Sequence, residues 1–347
     1  MPTKKLTAKV RFFHAITPKK LVKPLALFTL AIAAVAAIAT LGIITEPSAS
    51  KKNDAQTTPK PVTPLCFRGV SLNIVAHEDD DILFMNPDIQ QDIYDGRCVT
   101  TVFVASGDPG LGLDYIKSRE AGARAAYAFM SGEPNKWIES TRLYDGRSIE
   151  TYSLDNYPKI RLMFMRLPNS DGGADGFSLY SNQTLERLRQ DKISQVEAAD
   201  GTATYTSSDL VATLASIIQK VHPDTVRTQD FTIAFGNTAG DHSDHLAVAD
   251  YTIDANELVS YPHVLIGYKD YPIASFPVNL APAQIKRKES IWFAYSPNDK
   301  EVCDTIEMCK DTKGNTYYQW FYREYTVGTI PSYYSVGVPA NVPASIR

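Results

Sequence analysis

The sequence predicts an α/β fold, a mostly parallel sheet with helices on both faces, preceded by one transmembrane helix. Three observations predict it. From Ser71 onward, strand-like apolar runs alternate with segments of helical periodicity. One of those runs, Cys98–Ala105 (CVTTVFVA), is β-branched and apolar on both faces, as a strand inside a parallel sheet must be. Ahead of them lies a charge-free stretch of 21 residues, Leu25–Thr45, behind a basic N-terminus.

The elements follow in order. Residues 1–24 form a basic tail that holds all seven Lys and Arg of the first 45 positions, a region without a single acid. At about 1.5 Å per residue, the run 25–45 is long enough to cross a bilayer core. The positive-inside rule then leaves the tail in the cytoplasm and the rest of the chain outside, a single-pass membrane protein. A cleaved secretory signal ending near Ser48-Ala49-Ser50 is the other reading, and it too exports the body. Residues 46–65 are polar and proline-bearing, an extended linker. Residues 66–347 remain as one large domain. The chain carries a formal charge of −4, but 28 basic residues face 39 acidic ones after position 45, a net of −11. An acidic body excludes a nucleic-acid partner.

Within the domain, Ser71–Ala76 and Cys98–Ala105 read as strands. Asp114–Met130 reads as a helix with Ile116, Ala123, Ala126, Tyr127 and Met130 on one stripe. Lys159–Leu167 is a third strand. Ser208–His222 is a helix, capped by Ser207 or Ser208 and stopped by Pro223, with Leu210, Leu214, Ile217 and Ile218 facing inward. Phe231–Phe235 and Val264–Gly267 read as further strands, with a helix from about Asp244 to Ser260 between them. The alternation is Rossmann-like, and such sheets bind ligands beyond the carboxyl ends of their strands. Four cysteines in an exported chain imply two disulfides. Three pairings are open, of which Cys66–Cys98 with Cys303–Cys309 is the simplest.

Two strand ends carry the chemistry. Ala76-His77-Glu78-Asp79-Asp80-Asp81 follows the first strand, and Asp241-His242-Ser243-Asp244-His245 follows the FTIAF segment and a small polar turn. His77 and Asp80 are three apart, as are His242 and His245, so each pair shares a face if its segment has entered a helical turn. A His and a carboxylate from one loop with a His from another leave coordination positions open, as catalytic zinc requires. Taken singly, each segment is equally a polar helix start, where aspartate favours the dipole. Together, at matching strand ends, they point to a metal.

The pairing resembles the PIG-L/LmbE-like family of zinc-dependent N-acetylglucosamine de-N-acetylases, whose usual motifs are AHPDDE and HxDH. The likeness runs from about Ser71 to Tyr268. It implies a hydrolase that removes the acetyl group from an N-acetylglucosamine-type sugar in a glycan, glycolipid or conjugate. By position, His77, Asp80 and His245 would hold one Zn2+ per chain, another divalent metal being possible. Asp79 would be the base acting on a zinc-bound water as nucleophile. His242 would steady the oxyanion and protonate the departing amine. Glu78 and Asp81 depart from the family pattern, standing where it has proline and glutamate.

Three further residues are candidates for substrate contact. Arg119 falls on the inward stripe of the 114–130 helix, where a charge contacts substrate or pairs internally with Glu120 or a loop aspartate. Asn169 and Asp171, in the turn after KIRLMFMRL, can hydrogen-bond sugar hydroxyls or simply form the turn. The aromatic run 317–325 reads as core or edge strand, with sugar stacking as the functional option. Two rivals remain: a surface glycan-binding protein with a degenerate site, and a non-haem iron oxygenase, since two histidines and one carboxylate also make a facial triad.

Overall fold

The computed structural model describes residues 65–173, 175–234, 240–310 and 317–331. The basic tail, the anchor expected over 25–45 and the linker up to residue 64 lie outside the described residues. No helix among those described is long and apolar enough to cross a membrane.

The described residues form an α/β structure around a large, mostly parallel sheet. Its strands are β1 (Val70–Val75), β2 (Cys98–Ala105), β3 (Trp137–Tyr144), β4 (Arg147–Leu154), β5 (Ile160–Leu167), β8 (Thr225–Thr228), β9 (Val264–Tyr268) and β10 (Thr326–Pro331), while β6 (Val196–Glu197) and β7 (Thr204–Tyr205) make a separate ribbon. The order is β10-β9-β8-β1-β2-β5-β4-β3. The five central strands run parallel, and the β3–β4 hairpin and β10 close the edges antiparallel. The chain lays β2 and β5 on one side of β1, then crosses back to lay β8 and β9 on the other. The carboxyl ends of β1 and β8 therefore flank the point where the strand order reverses, the position at which such sheets open a crevice.

Period-two alternation splits the core in two. Leu72 and Ile74 of β1 join Val102 and Val104 of β2 under helices α5 (Ser207–Val221) and α6 (Ser243–Glu257). Val75, Val99 and Phe103 face the other way, beneath α3 (Leu113–Ser131) and α7 (Pro282–Tyr295). Short helices α1 (Asp80–Phe84), α2 (Asp88–Tyr94), α4 (Leu185–Arg189), α8 (Ile306–Lys310) and α9 (Tyr317–Trp320) fill the connections. Both simplest disulfides form, Cys66–Cys98 and Cys303–Cys309.

Two expectations are corrected. The FTIAF segment is not a strand where it is described: residues 231–234 turn, and the parallel strand is Thr225–Thr228 just upstream. Asp230 causes the turn, its carboxylate accepting both the backbone N–H and the hydroxyl of Thr232 while Lys269 pairs with its other oxygen. The cap of α5 is Thr206 rather than Ser207 or Ser208, in a reciprocal box with Asp209. The aromatic run contributes core, since Trp320 is buried beside Phe84 and Phe321 is buried against Trp292 of α7.

Candidate metal centre

Every chemical group singled out above except Asp171 converges on the carboxyl edge of the parallel strands. The β1 loop turns sharply into α1 because the Asp80 carboxylate accepts the His77 backbone N–H at 2.7 Å. The β8 loop enters α6 through His242, whose Nδ1 accepts the Asp244 N–H at 3.2 Å as the helix cap. Gln229 ties the loops together, accepting from the Ala76 N–H at 3.0 Å and donating to Asp80 Oδ2 at 3.0 Å.

The ligand atoms of His77, Asp80 and His245 all lie within 4.8 Å of one another, and all three residues are buried. His245 Nε2 sits 3.1 Å from Asp80 Oδ1 yet makes no hydrogen bond. Its other nitrogen faces Asp241 Oδ1 at 2.7 Å, which fixes the proton on Nδ1 and leaves the Nε2 lone pair aimed inward. His77 Nε2 likewise meets Asp244 Oδ2 at 3.3 Å, with Nδ1 3.3 Å from Asp80 Oδ2. A buried, orphaned imidazole nitrogen converging with a carboxylate is the donor set a divalent cation takes.

The electrostatics agree. Burial alone would lower the His77 pKa, but Asp80 and Asp244 raise it to about 9. Burial is likewise overcome at His245, which Asp80 and Asp241 hold well above the ordinary histidine range, and at Asp80, which His245 and His77 hold well below the carboxylate range. The carboxylates thus retain protons where a cation's charge would sit. His242 behaves oppositely: burial, then His77, lower its pKa to about 3, so it is a neutral imidazole.

A cavity of about 190 Å³ opens over the cluster, lined by His77, Asp79, Arg119, Asn169, His242 and Tyr271 among others. Asp79 borders it, one oxygen held by Arg119 Nη2 at 2.6 Å. Arg119 is buried, and its Nη1 donates to the Gly107 carbonyl at 2.6 Å and its Nε to the Tyr295 hydroxyl at 2.8 Å, with Asp299 3.0 Å from Nε. Its partner is therefore a loop aspartate rather than Glu120, which pairs with Arg166. Gly107 has φ +56°, and a Cβ there would lie 1.7 Å from Arg119 Nη1, so only glycine allows this packing.

Asn169 reaches the cavity with its Oδ1 buried and unbonded. Arg166 delivers it there. At φ +56° it bends the end of β5, and ion pairs to Glu120, Glu150 and Asp200 hold it in that conformation. Asp171 is exposed, and its carboxylate accepts the Gly173 N–H to form a turn, so the structure does not bring it to the cavity. Residues without a sequence-based role also belong here. Asp241 is legible in principle, standing four positions before His245 at the entry to α6; Tyr271, Asp270 and Asp299 come from short connecting segments with no such pattern.

No family model matches the chain, and no curated relative does. Deacetylases are among the solved structures that match. One, from the biosynthesis pathway of teicoplanin, is 17% identical with a TM-score of 0.41, spanning 65% of this chain and 83% of that one. The N,N'-diacetylchitobiose deacetylase from Pyrococcus horikoshii is 11% identical with a TM-score of 0.42, spanning 76% and 83%. The 4-carboxy-2-hydroxymuconate hydratase GalB from Pseudomonas putida also matches, at 11% identity and a TM-score of 0.36, spanning 73% and 82%.

Proposed function

We propose that the chain is a zinc-dependent hydrolase that removes the acetyl group from an N-acetylglucosamine-type sugar held in a larger conjugate. The observation that carries this reading is the convergence of His77, Asp80 and His245 beside a carboxylate, Asp79, that is not among the ligand donors. A binding module has no use for a base at that place.

An amide is a poor electrophile, and a divalent cation held by those three residues would polarise its carbonyl and make water acidic enough to attack near neutral pH. The protein's own groups do the rest. Asp79, with one oxygen fixed by Arg119, takes the proton of the attacking water and, because burial keeps His242 neutral, returns it to the departing amine in place of that histidine. His242 accepts the Asp244 N–H at Nδ1, so its proton is on Nε2, a neutral donor for the carbonyl oxygen as charge develops. Asn169 Oδ1 accepts a sugar hydroxyl. Both disulfides persist best in an oxidising compartment, which supports export of the domain by the anchor at 25–45.

The test joins metal analysis to acetate release. Purified protein should carry about one zinc per chain, lost in His245→Ala. Asp79→Asn should keep the zinc and lose about 10²-fold or more of its acetate release from N-acetylglucosamine glycosides. Bound iron with oxygen-dependent turnover would replace this reading with the oxygenase, and an Asp79→Asn protein as active as wild type would overturn it.

A further inference from the structure

The buried tyrosines around the site mostly spend their hydroxyls on carboxylates. Tyr115 donates to Asp299 at 2.6 Å, Tyr295 donates to the other oxygen of Asp299 at 2.8 Å, and Tyr127 donates to Asp81. Tyr271 differs. It lines the same cavity as His77, Asp79 and His242, yet its hydroxyl makes no hydrogen bond among the described residues.

The ring itself is half-buried and packed among aromatic groups. It stacks on Trp320 with centroids 4.8 Å apart and planes 15° from parallel. Phe84 lies 5.9 Å away, and the ring stands edge-on to His245 at 4.9 Å and to His242 at 6.3 Å. Packing of this kind leaves the ring little freedom, and phenylalanine would satisfy it equally well. The hydroxyl is therefore surplus to the packing. A preorganised O–H beside the ligand histidines, bordering a polar cavity, is the type of donor that stabilises charge developing in a transition state. Tyr271 and His242 line one cavity, with their ring centroids 6.3 Å apart.

We propose that the Tyr271 hydroxyl is a second catalytic hydrogen-bond donor, meeting the acetyl carbonyl oxygen together with His242 as that oxygen becomes anionic. No bond to tyrosine forms, and the phenol keeps its proton throughout. The assignment rests on the de-N-acetylase reading, and Asp79→Asn is the control that separates the two.

The experiment compares wild type, Tyr271→Phe and Asp79→Asn, each loaded with zinc. Acetate release is measured from the methyl glycoside of N-acetylglucosamine, and binding is measured for a tetrahedral mimic, the methylphosphonamidate of glucosamine. Tyr271→Phe should keep wild-type zinc content and melting temperature. Its kcat should fall roughly 10²-fold with KM nearly unchanged, and it should lose a comparable factor in affinity for the mimic but not for acetate. If Asp79→Asn is inactive while Tyr271→Phe retains kcat, or binds the mimic as wild type does, the tyrosine's role is overturned and the hydrolase reading stands. If Asp79→Asn is fully active, both fall. Should the glycoside not be cleaved, binding of the mimic decides alone, and its failure to bind wild type overturns the proposal.

Discussion

Arg119 Nη2 donates to Asp79 Oδ1 at 2.6 Å across two segments 40 residues apart, and both side chains are buried. The pair does more than neutralise charge. Burial raises the Asp79 pKa and the Arg119 guanidinium draws it back, so the arginine keeps a buried carboxylate closer to its ionised form.

Arg119→Gln removes that counter-charge. Asp79 then ionises only at higher pH, and the acidic limb of the kcat/KM profile should move upward. Maximal activity falls as well, because the carboxylate loses its orientation. Bound zinc should be unchanged by elemental analysis, since Arg119 contacts no ligand donor directly. A profile that keeps its acidic limb would remove the base assignment from Asp79.

Asp241 acts at the opposite side of the cluster. By accepting the His245 Nδ1–H it sets which nitrogen faces the ligand point. Asp241→Asn should weaken zinc binding by about 10–100-fold, measured by competition with a chelator, without abolishing it as His245→Ala does. Equal zinc affinity in Asp241→Asn and wild type would show that the contact has no bearing on the metal.

Glu150 offers a prediction about acid stability. Burial would raise its pKa, but Arg166, Lys117 and Tyr152 hold it down at about 2. A depressed carboxyl contributes stability that is complete above its unfolded value and lost as pH falls towards the folded one. Wild type should therefore lose melting temperature between about pH 4.5 and 2, and Glu150→Gln should show a shallower loss there. Because Glu150 also braces Arg166, the variant should raise KM through Asn169.

Much of this centre was legible as two short motifs, because strand ends carrying His and Asp announce themselves whatever surrounds them. What connects them was harder to read. Strand β8 is hidden by its own Arg227, a charge that argues against a buried strand until Asp92 at 2.7 Å and the Tyr268 hydroxyl at 3.2 Å are seen to pair it. The FTIAF segment has the apolar look of a strand, but its described residues 231–234 turn. The β3–β4 hairpin went unread although Asp145-Gly146, both at positive φ, is a strong two-residue turn signal. Tyr271 was beyond reach for another reason. Its proposed role rests on a hydroxyl that no other described residue meets, and only the packed fold reveals what a side chain lacks.

The reversal of strand order at β1 and β8 has a further consequence. His77 and Asp80 belong to the opening stretch of the domain, whereas His245 belongs to its second half, so no short loop contains the whole proposed ligand set. If the proposed ligand set holds, an isolated half of this domain should not bind the ion, however faithfully it folds. On the proposed ligand set, loading should therefore behave as a report on assembly: an ion held there would join two distant segments of the chain as a crosslink does, yet could be withdrawn.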